Sequence, residues 1–160
     1  MAGAADGCFA RPRVDLGRGP DQCANETVLT KIRGEFQVRL KPGAVDEGGE
    51  PAIGRMLIDK QFHGDLEAAS QGQMLAFRTA IEGSAGYVAM EKVNGTLGGR
   101  KGTFVLQHSG TMNRGVAGLV LTVVPDSGTE GLVGLAGQMN IEITGGKHLY
   151  IFEYTLPKQD

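Results

Sequence analysis

The sequence has little of what would cross-link it, carry it through a membrane or attract nucleic acid. It contains no tryptophan and only two cysteines, Cys8 and Cys23, in 160 residues. No apolar run reaches the roughly 18 residues of a transmembrane helix. Its 16 Lys and Arg residues are matched by 18 Asp and Glu residues, and the basic residues form no stripe that could follow phosphates. We therefore expect neither a membrane nor nucleic acid as a partner.

The first 28 residues differ in composition from the rest. They are rich in Gly, Ala, Pro, Arg and Asp without periodicity, which predicts a flexible or loosely docked extension ahead of a domain at 29–160. Residues 1–13 lack the apolar stretch of a secretory signal, so a cytoplasmic protein is expected. Cys8 and Cys23 are interpreted as free thiols, with a redox-active or crosslinking pair as the alternative.

Glycine is the residue present in excess. The chain has 26 glycines, about 16% against the usual ~7%. They are scattered through the apolar segments, where each would cost a helix roughly 0.5–1 kcal/mol relative to alanine. Six prolines without a Gly-X-Y repeat exclude collagen, and 41% hydrophobic residues suffice for a core. These features predict a compact all-β domain.

Alternating polarity and turn signals predict eight strands with few or no helices. In the first, Phe36, Val38 and Leu40 alternate with polar residues, and in the third Gly64 and Gly72 favour a strand over a helix. The predicted strands cover 28–40, 55–63, 66–77, 87–97, 103–112, 117–124, 131–144 and 148–156. Mostly short turns join them, so we predict a single antiparallel eight-stranded β-barrel, since closure removes exposed sheet edges.

Two predicted strands, at 119–124 and 148–156, carry large or apolar side chains on both faces. The barrel core covers one face, and another subunit is expected to cover the other, with an arm of the extension as the alternative. A homo-oligomer is therefore expected. Within the strand predicted at 131–144, Gly134 and Gly137 are expected to leave room inside the barrel.

Five segments carry a resemblance to a known family. They are 56–75 (MLIDKQFHGDLEAASQGQML), 83–91 (GSAGYVAME), 102–112 (GTFVLQHSGTM), 123–129 (VVPDSGT) and 148–150 (HLY) with Tyr154. The sequence over about 30–157 resembles the DUF3224 domain, a bacterial family of unknown function. The resemblance implies a small β-barrel similar to that of allene oxide cyclase, which uses a shaped apolar cavity and no cofactor.

Strand parity predicts which side chains share the inner face. The candidate catalytic residues are Glu91, His108 and Tyr150, and the candidate substrate-binding residues are Tyr87, Phe104, His148, Phe152 and Tyr154. Apolar surroundings would raise the pKa of a carboxyl such as that of Glu91, so that it could act as acid or base near neutral pH. In the alternative, Glu91 pairs with Arg100 or Lys60 and the tyrosines simply fill the barrel.

Two functional hypotheses follow. The first is a barrel that binds a small apolar molecule, in its sharper form a cofactor-free cyclase or isomerase. The alternative is a filled barrel with a structural or interaction role.

No metal is expected, because His63, His108 and His148 lie on three different predicted strands without ligand spacing. Asp59, Lys60 and Glu67 are expected to form a solvated charge network near the second hairpin.

Overall fold

The structure is a computed structural model that describes residues 27–44 and 53–158. Within these ranges the strands are β1 (Val28–Pro42), β2 (Gly54–Gly64), β3 (Leu66–Arg78), β4 (Ala85–Leu97), β5 (Arg100–Asn113), β6 (Val116–Val123), β7 (Ala136–Thr144) and β8 (Lys147–Leu156). Each pairs antiparallel with the next, and β8 pairs with β1 to close the barrel. The predicted all-β, eight-stranded antiparallel barrel is confirmed. The predictions for the extension with Cys8 and Cys23 lie outside the described residues.

Alternation along each strand decides which side chains fill the barrel. On β2, Ile58, Lys60 and Phe62 are buried, whereas Leu57, Asp59 and Gln61 between them are exposed. The even residues of β1, β3, β5 and β8 and the odd residues of β4, β6 and β7 point inward in the same way. The segment 66–77, which also fitted a helical face, is a strand as predicted.

One end of the barrel is covered by the long connection between β6 and β7. This closed end is the one where the turns after β2, β4 and β6 lie. Leu132 and Leu135 in the connection are each 1% exposed and belong to the core cluster. The amide of Thr129 donates to the carbonyl of Thr103, which holds the connection against β5. The connection contains a short 3-10 helix at Glu130–Leu132 and seals the end with two leucines.

The prediction that the seventh strand begins at 131 is wrong, because the chain first makes this covering connection and β7 begins at Ala136. Gly134 lies in the connection with a φ of +79°, a left-handed conformation that glycine adopts without strain. Gly137 leaves no room inside the barrel, because a Cβ there would lie 2.8 Å from the Cβ of Tyr154. Both glycines permit close packing against β8 and its continuation rather than a cavity.

The opposite, open end is the one where the turns after β1, β3, β5 and β7 lie. Inward-facing apolar residues are incompletely covered there. By strand alternation these are Leu40, Met56, Met74, Met112, Leu119 and Ile143, which we call the mouth residues. Leu40 is 50%, Met112 42% and Ile143 69% exposed. The barrel is therefore filled at one end and incompletely covered at the other.

The pairing between β6 and β7 involves fewer described residue pairs than any other pairing of neighbouring strands in the barrel. Their register is described by one pair, Thr122↔Gln138, whereas β5 and β6 pair from Leu106↔Val123 to Asn113↔Val116. We call this junction the seam.

On the outer face, a groove of about 990 Å³ crosses β3, β4 and β5 over the exposed side chains of Leu75, Val88 and Met90. Elsewhere on the outer face, Val120 of β6 is also exposed, and its coverage by another subunit stays a prediction. In the described parts of the chain, no helix is long and apolar enough to span a membrane.

Candidate functional site

A charged cluster lies inside the barrel on the inner faces of β2 to β5. The ammonium of Lys60 donates to Oε2 of Glu91 at 2.7 Å, and the hydroxyl of Ser70 donates to Oε1 of the same carboxylate. Nε2 of His108 lies 3.0 Å from the same Oε2. Glu91 has no exposed surface, and the other three residues are 2–6% exposed. We call these four residues the internal cluster.

The strand register brings the internal cluster together. Lys60 lies opposite Ser70 between β2 and β3. Gly72 on β3 lies opposite Glu91 on β4, and a Cβ at Gly72 would come within 2.9 Å of the Cα of Glu91. The missing side chain at Gly72 therefore lets β3 approach Glu91 closely.

The contact of His108 with Glu91 is close but is not aligned as a hydrogen bond. Nε2 of His108 is buried and has no hydrogen-bond partner within the part of the chain that the structure describes. A buried polar atom without a partner is unfavourable and uncommon in folded proteins. His108 is therefore the member of the internal cluster with unused hydrogen-bonding capacity.

The charge state of Glu91 corrects the sequence prediction. Burial alone would raise its pKa, but the approach of His108, the positive charge and hydrogen bond of Lys60, and the Ser70 hydroxyl outweigh burial. Together they lower the pKa of Glu91 from 4.5 to about 2. The prediction of a raised pKa is wrong: Glu91 is a carboxylate at neutral pH. The alternative interpretation, in which Glu91 pairs with Lys60, agrees with the structure.

Lys60 also contacts aromatic rings on the inner face. Its Nζ lies 5.0 Å from the ring centroid of Phe36 and 5.7 Å from that of Phe62. Ring faces attract cations at such distances. The ammonium is thus held between a carboxylate and two aromatic rings, and the prediction of a solvated charge network that includes Lys60 is wrong.

Tyr87 lies on the open-end side of the internal cluster. It is half-buried on β4, and its ring occupies the space above Gly110 on β5, where a Cβ would approach its Cζ to 2.6 Å. Burial and, second, the charge of Glu91 raise the pKa of Tyr87. Its hydroxyl is therefore protonated at neutral pH and remains a hydrogen-bond donor.

The structure does not bring Tyr150 to Glu91. Its hydroxyl donates to the carbonyl of His63 and accepts from the amide of Leu66, both at 3.2 Å, at the turn between β2 and β3. That turn belongs to the closed end. Tyr150 therefore fixes the backbone of a turn, away from the internal cluster.

The aromatic residues predicted to bind substrate are divided between the two halves. Phe104 stacks on Phe152 with ring centroids 6.0 Å apart, and Phe152 contacts Tyr154 at 5.1 Å. All three are nearly fully buried in the core cluster of the closed half. His148 is half-buried, with its ring 5.2 Å from that of Phe36. Only Tyr87 among the predicted binding residues lies next to the internal cluster.

Sequence reasoning missed Ser70 and misplaced Lys60. The same parity that placed Glu91 and His108 inside also places Lys60 between Ile58 and Phe62, and this signal could have found it.

Other charged residues named in the sequence analysis lie away from the internal cluster. Glu67 points outward and contacts His63 at 3.1 Å. Arg100 donates to the carbonyl of Pro157 and does not pair with Glu91. Among residues 27–44 and 53–158, no group of three His, Cys, Asp or Glu residues could hold a metal ion.

The fold and the site define a class of protein: a closed eight-stranded antiparallel barrel with a buried ammonium–carboxylate pair on its inner face. The chain belongs to the DUF3224 family, described as a protein of unknown function, whose model matches residues 32–154. It is similar to the crystal structure of a protein with unknown function from the DUF3224 family of Shewanella oneidensis MR-1. The two are 48% identical over 82% of this chain and 100% of that one, with a TM-score of 0.76. No curated protein matches the chain.

Proposed function

We propose that the barrel binds a small, mainly apolar molecule through its open end. The observation that carries the proposal is the exposure of inward-facing mouth residues, up to 69% at Ile143, beside a buried polar cluster. Apolar side chains on the inner face of a small barrel normally fill its core. Concave apolar sites with a few convergent polar groups are the usual form of small-molecule sites.

A barrel of the allene oxide cyclase type is part of this proposal. In such a barrel, a shaped apolar cavity acts on its substrate without a cofactor, which is the arrangement that mouth and internal cluster would supply here. The mouth residues would hold the apolar body, and the internal cluster would meet the polar group. No group beyond this chain's own side chains is required.

Turnover of the cofactor-free cyclase or isomerase type is the sharper form of the proposal. Because Glu91 is a carboxylate, it would act as a base or stabilise positive charge, and it would not act as the acid. Lys60 and Tyr87 would donate hydrogen bonds to an oxygen that gains negative charge. Once a bound molecule is known, Glu91→Gln should abolish its conversion but retain its binding, and unchanged conversion would exclude Glu91 from the chemistry.

Native mass spectrometry of protein purified from its host tests the binding proposal. We expect a retained small molecule in the wild type and its loss in Met112→Lys, which places a charge in the mouth. Met90→Lys is the matched control, because Met90 is 49% exposed on the outer face and Met112 is 42% exposed on the inner face. Retention in all three proteins, or in none, would contradict the proposal. It would favour the alternative, a filled barrel with a structural role.

The same spectra test the expected homo-oligomer. Val116 and Val120 on the outer face of β6 are 73% and 63% exposed, and a subunit contact would cover them. We propose that this face joins copies of the chain. A purely monomeric spectrum at micromolar concentration would contradict it, without bearing on the mouth.

A further inference from the structure

We infer that the molecule taken up at the open end carries an uncharged oxygen that accepts hydrogen bonds, such as a carbonyl oxygen, on an otherwise apolar body. The inference rests on the proposed binding function and adds the chemical class of the ligand. It follows from the balance of donors and acceptors in the internal cluster and from the charges already present there.

The internal cluster has donors to spare. An ammonium has three N–H groups, and the structure describes one hydrogen bond from Lys60, to Glu91. Nε2 of His108 is buried without a partner among the described residues. The negative charge of Glu91, 3.0 Å away, favours the tautomer that carries a hydrogen on this nitrogen. Lys60 and His108 therefore both offer hydrogens to an incoming group.

Both oxygens of the carboxylate in the internal cluster already accept a hydrogen bond. Glu91 is the buried carboxylate, and its two oxygens receive Ser70 at Oε1 and Lys60 at Oε2. The Ser70 hydroxyl has spent its single hydrogen on Glu91. A ligand group that donates hydrogen bonds would have to share Glu91 with Lys60 and Ser70, whereas one that accepts would find the unused hydrogens of His108 and Lys60.

The charges favour a neutral group. Lys60 and Glu91 compensate each other at 2.7 Å inside the barrel. A ligand carboxylate would be attracted by Lys60 but repelled by Glu91, and a ligand ammonium the reverse, so neither gains a net attraction that offsets its desolvation. The apolar mouth residues add no charge that could offset that cost. An uncharged oxygen acceptor avoids this cost.

Four probes of matched length test the inference: methyl heptyl ketone, nonane, nonanoate and nonylamine. Each is titrated into full-length protein with isotope-labelled methionine methyl groups, observed by NMR. Met56, Met74 and Met112 report on the mouth, Met90 on the outer groove, and Met139, 2% exposed, on the core. We expect the ketone to shift the three mouth signals, leave Met90 unchanged and bind about fivefold to tenfold more tightly than nonane.

The variant His108→Phe keeps a ring of similar size but removes the donor. It should reduce the preference for ketone over nonane to the part that Lys60 supplies, and leave the affinity for nonane unchanged. Tyr150→Phe is the matched control, because Tyr150 loses its hydroxyl at the closed end, and the preference for ketone should survive there. The Met139 signal shows in each case that the core is intact.

The remaining outcomes separate this inference from the proposed function. Nonane binding at the mouth as tightly as the ketone would overturn the oxygen-acceptor class and leave apolar binding standing. Tightest binding of nonanoate or nonylamine would overturn the uncharged class. If no probe shifts the mouth signals, both the inference and the proposed function fail.

Discussion

The closed and open ends of the barrel are built by the same eight strands but are filled differently. At the closed end, Leu132 and Leu135 are each 1% exposed, and Phe104 stacks on Phe152 beneath them. At the open end, inward-facing residues such as Leu40 are half exposed. Exposed apolar side chains contribute little to folding, so the open end forgoes stability that the closed end gains.

Polarity inside the barrel is uneven as well. The closed end buries aromatic and aliphatic side chains, whereas an ammonium, a carboxylate and an imidazole are buried on the inner faces of β2, β4 and β5. A buried ion pair is often no more stabilising than apolar residues of similar volume. The comparison teaches that the closed end supplies packing, whereas the candidate chemistry lies on the inner face between the two ends. The predictions below test that division.

The largest effect is expected from Lys60→Met, which leaves Glu91 buried without its ammonium. The free energy of unfolding should fall by about 3–5 kcal/mol, as for other broken buried pairs. Urea denaturation of wild type and variant measures the fall. The double variant Lys60→Met/Glu91→Met should regain most of the loss. A double variant as unstable as the single one would show that the internal cluster is needed for stability, which would break the comparison.

Acid should weaken the barrel through Glu91. Its pKa is lowered from 4.5 to about 2 on folding, so its contribution is complete above about pH 4.5 and is lost as the pH falls towards 2. This shift corresponds to roughly 3 kcal/mol of stability by linkage. Unfolding free energies measured from pH 7 to pH 2 should fall less steeply in Glu91→Gln than in wild type. Parallel curves would contradict the assignment.

Truncation of matched apolar residues compares the two ends directly. Leu132→Ala removes a buried side chain from the closed end and should cost about 2–3 kcal/mol. Met112→Ala removes a half-exposed side chain from the mouth and should cost less than about 1 kcal/mol. Both are measured by thermal and urea unfolding. Equal costs would mean that the open end is packed as well as the closed end.

A smaller effect than that of Leu132→Ala is expected from Tyr150→Phe. It removes a hydroxyl that bonds the carbonyl of His63 and the amide of Leu66, and should cost about 1–2 kcal/mol. Probe binding at the mouth should be unchanged, because the hydroxyl is at the closed end. Weaker ketone binding in this variant would show that Tyr150 contributes to the binding site.

Much of the fold could be predicted from local pattern. Period-two alternation and glycine-rich turns predicted seven of the eight strands within a few residues, because local polarity decides which face of a strand is buried. The start of β7 could not be predicted in this way. Leu132 and Leu135 continue the apolar pattern towards β7, yet they belong to a connection that folds over the barrel end, and only tertiary packing reveals this.

The candidate site could be predicted in part. Parity placed Glu91 and His108 on inner faces, which the structure confirms. It did not reveal that Lys60 and Ser70 approach Glu91, because the relative register of neighbouring strands decides which inward residues meet. The same lack of register placed Tyr150 with Glu91, whereas its hydroxyl reaches the turn after β2.

The single described pair between β6 and β7, Thr122↔Gln138, has a consequence for the motions of the barrel. A closed sheet opens first where the fewest backbone hydrogen bonds hold it, so amide hydrogens beside the seam should exchange with solvent before those of β4. Leu119 and Ile141 lie half-buried on either side of the seam towards the open end. A molecule that contacts both would join the two strands, and slower amide exchange along β6 and β7 would then report that the barrel is occupied.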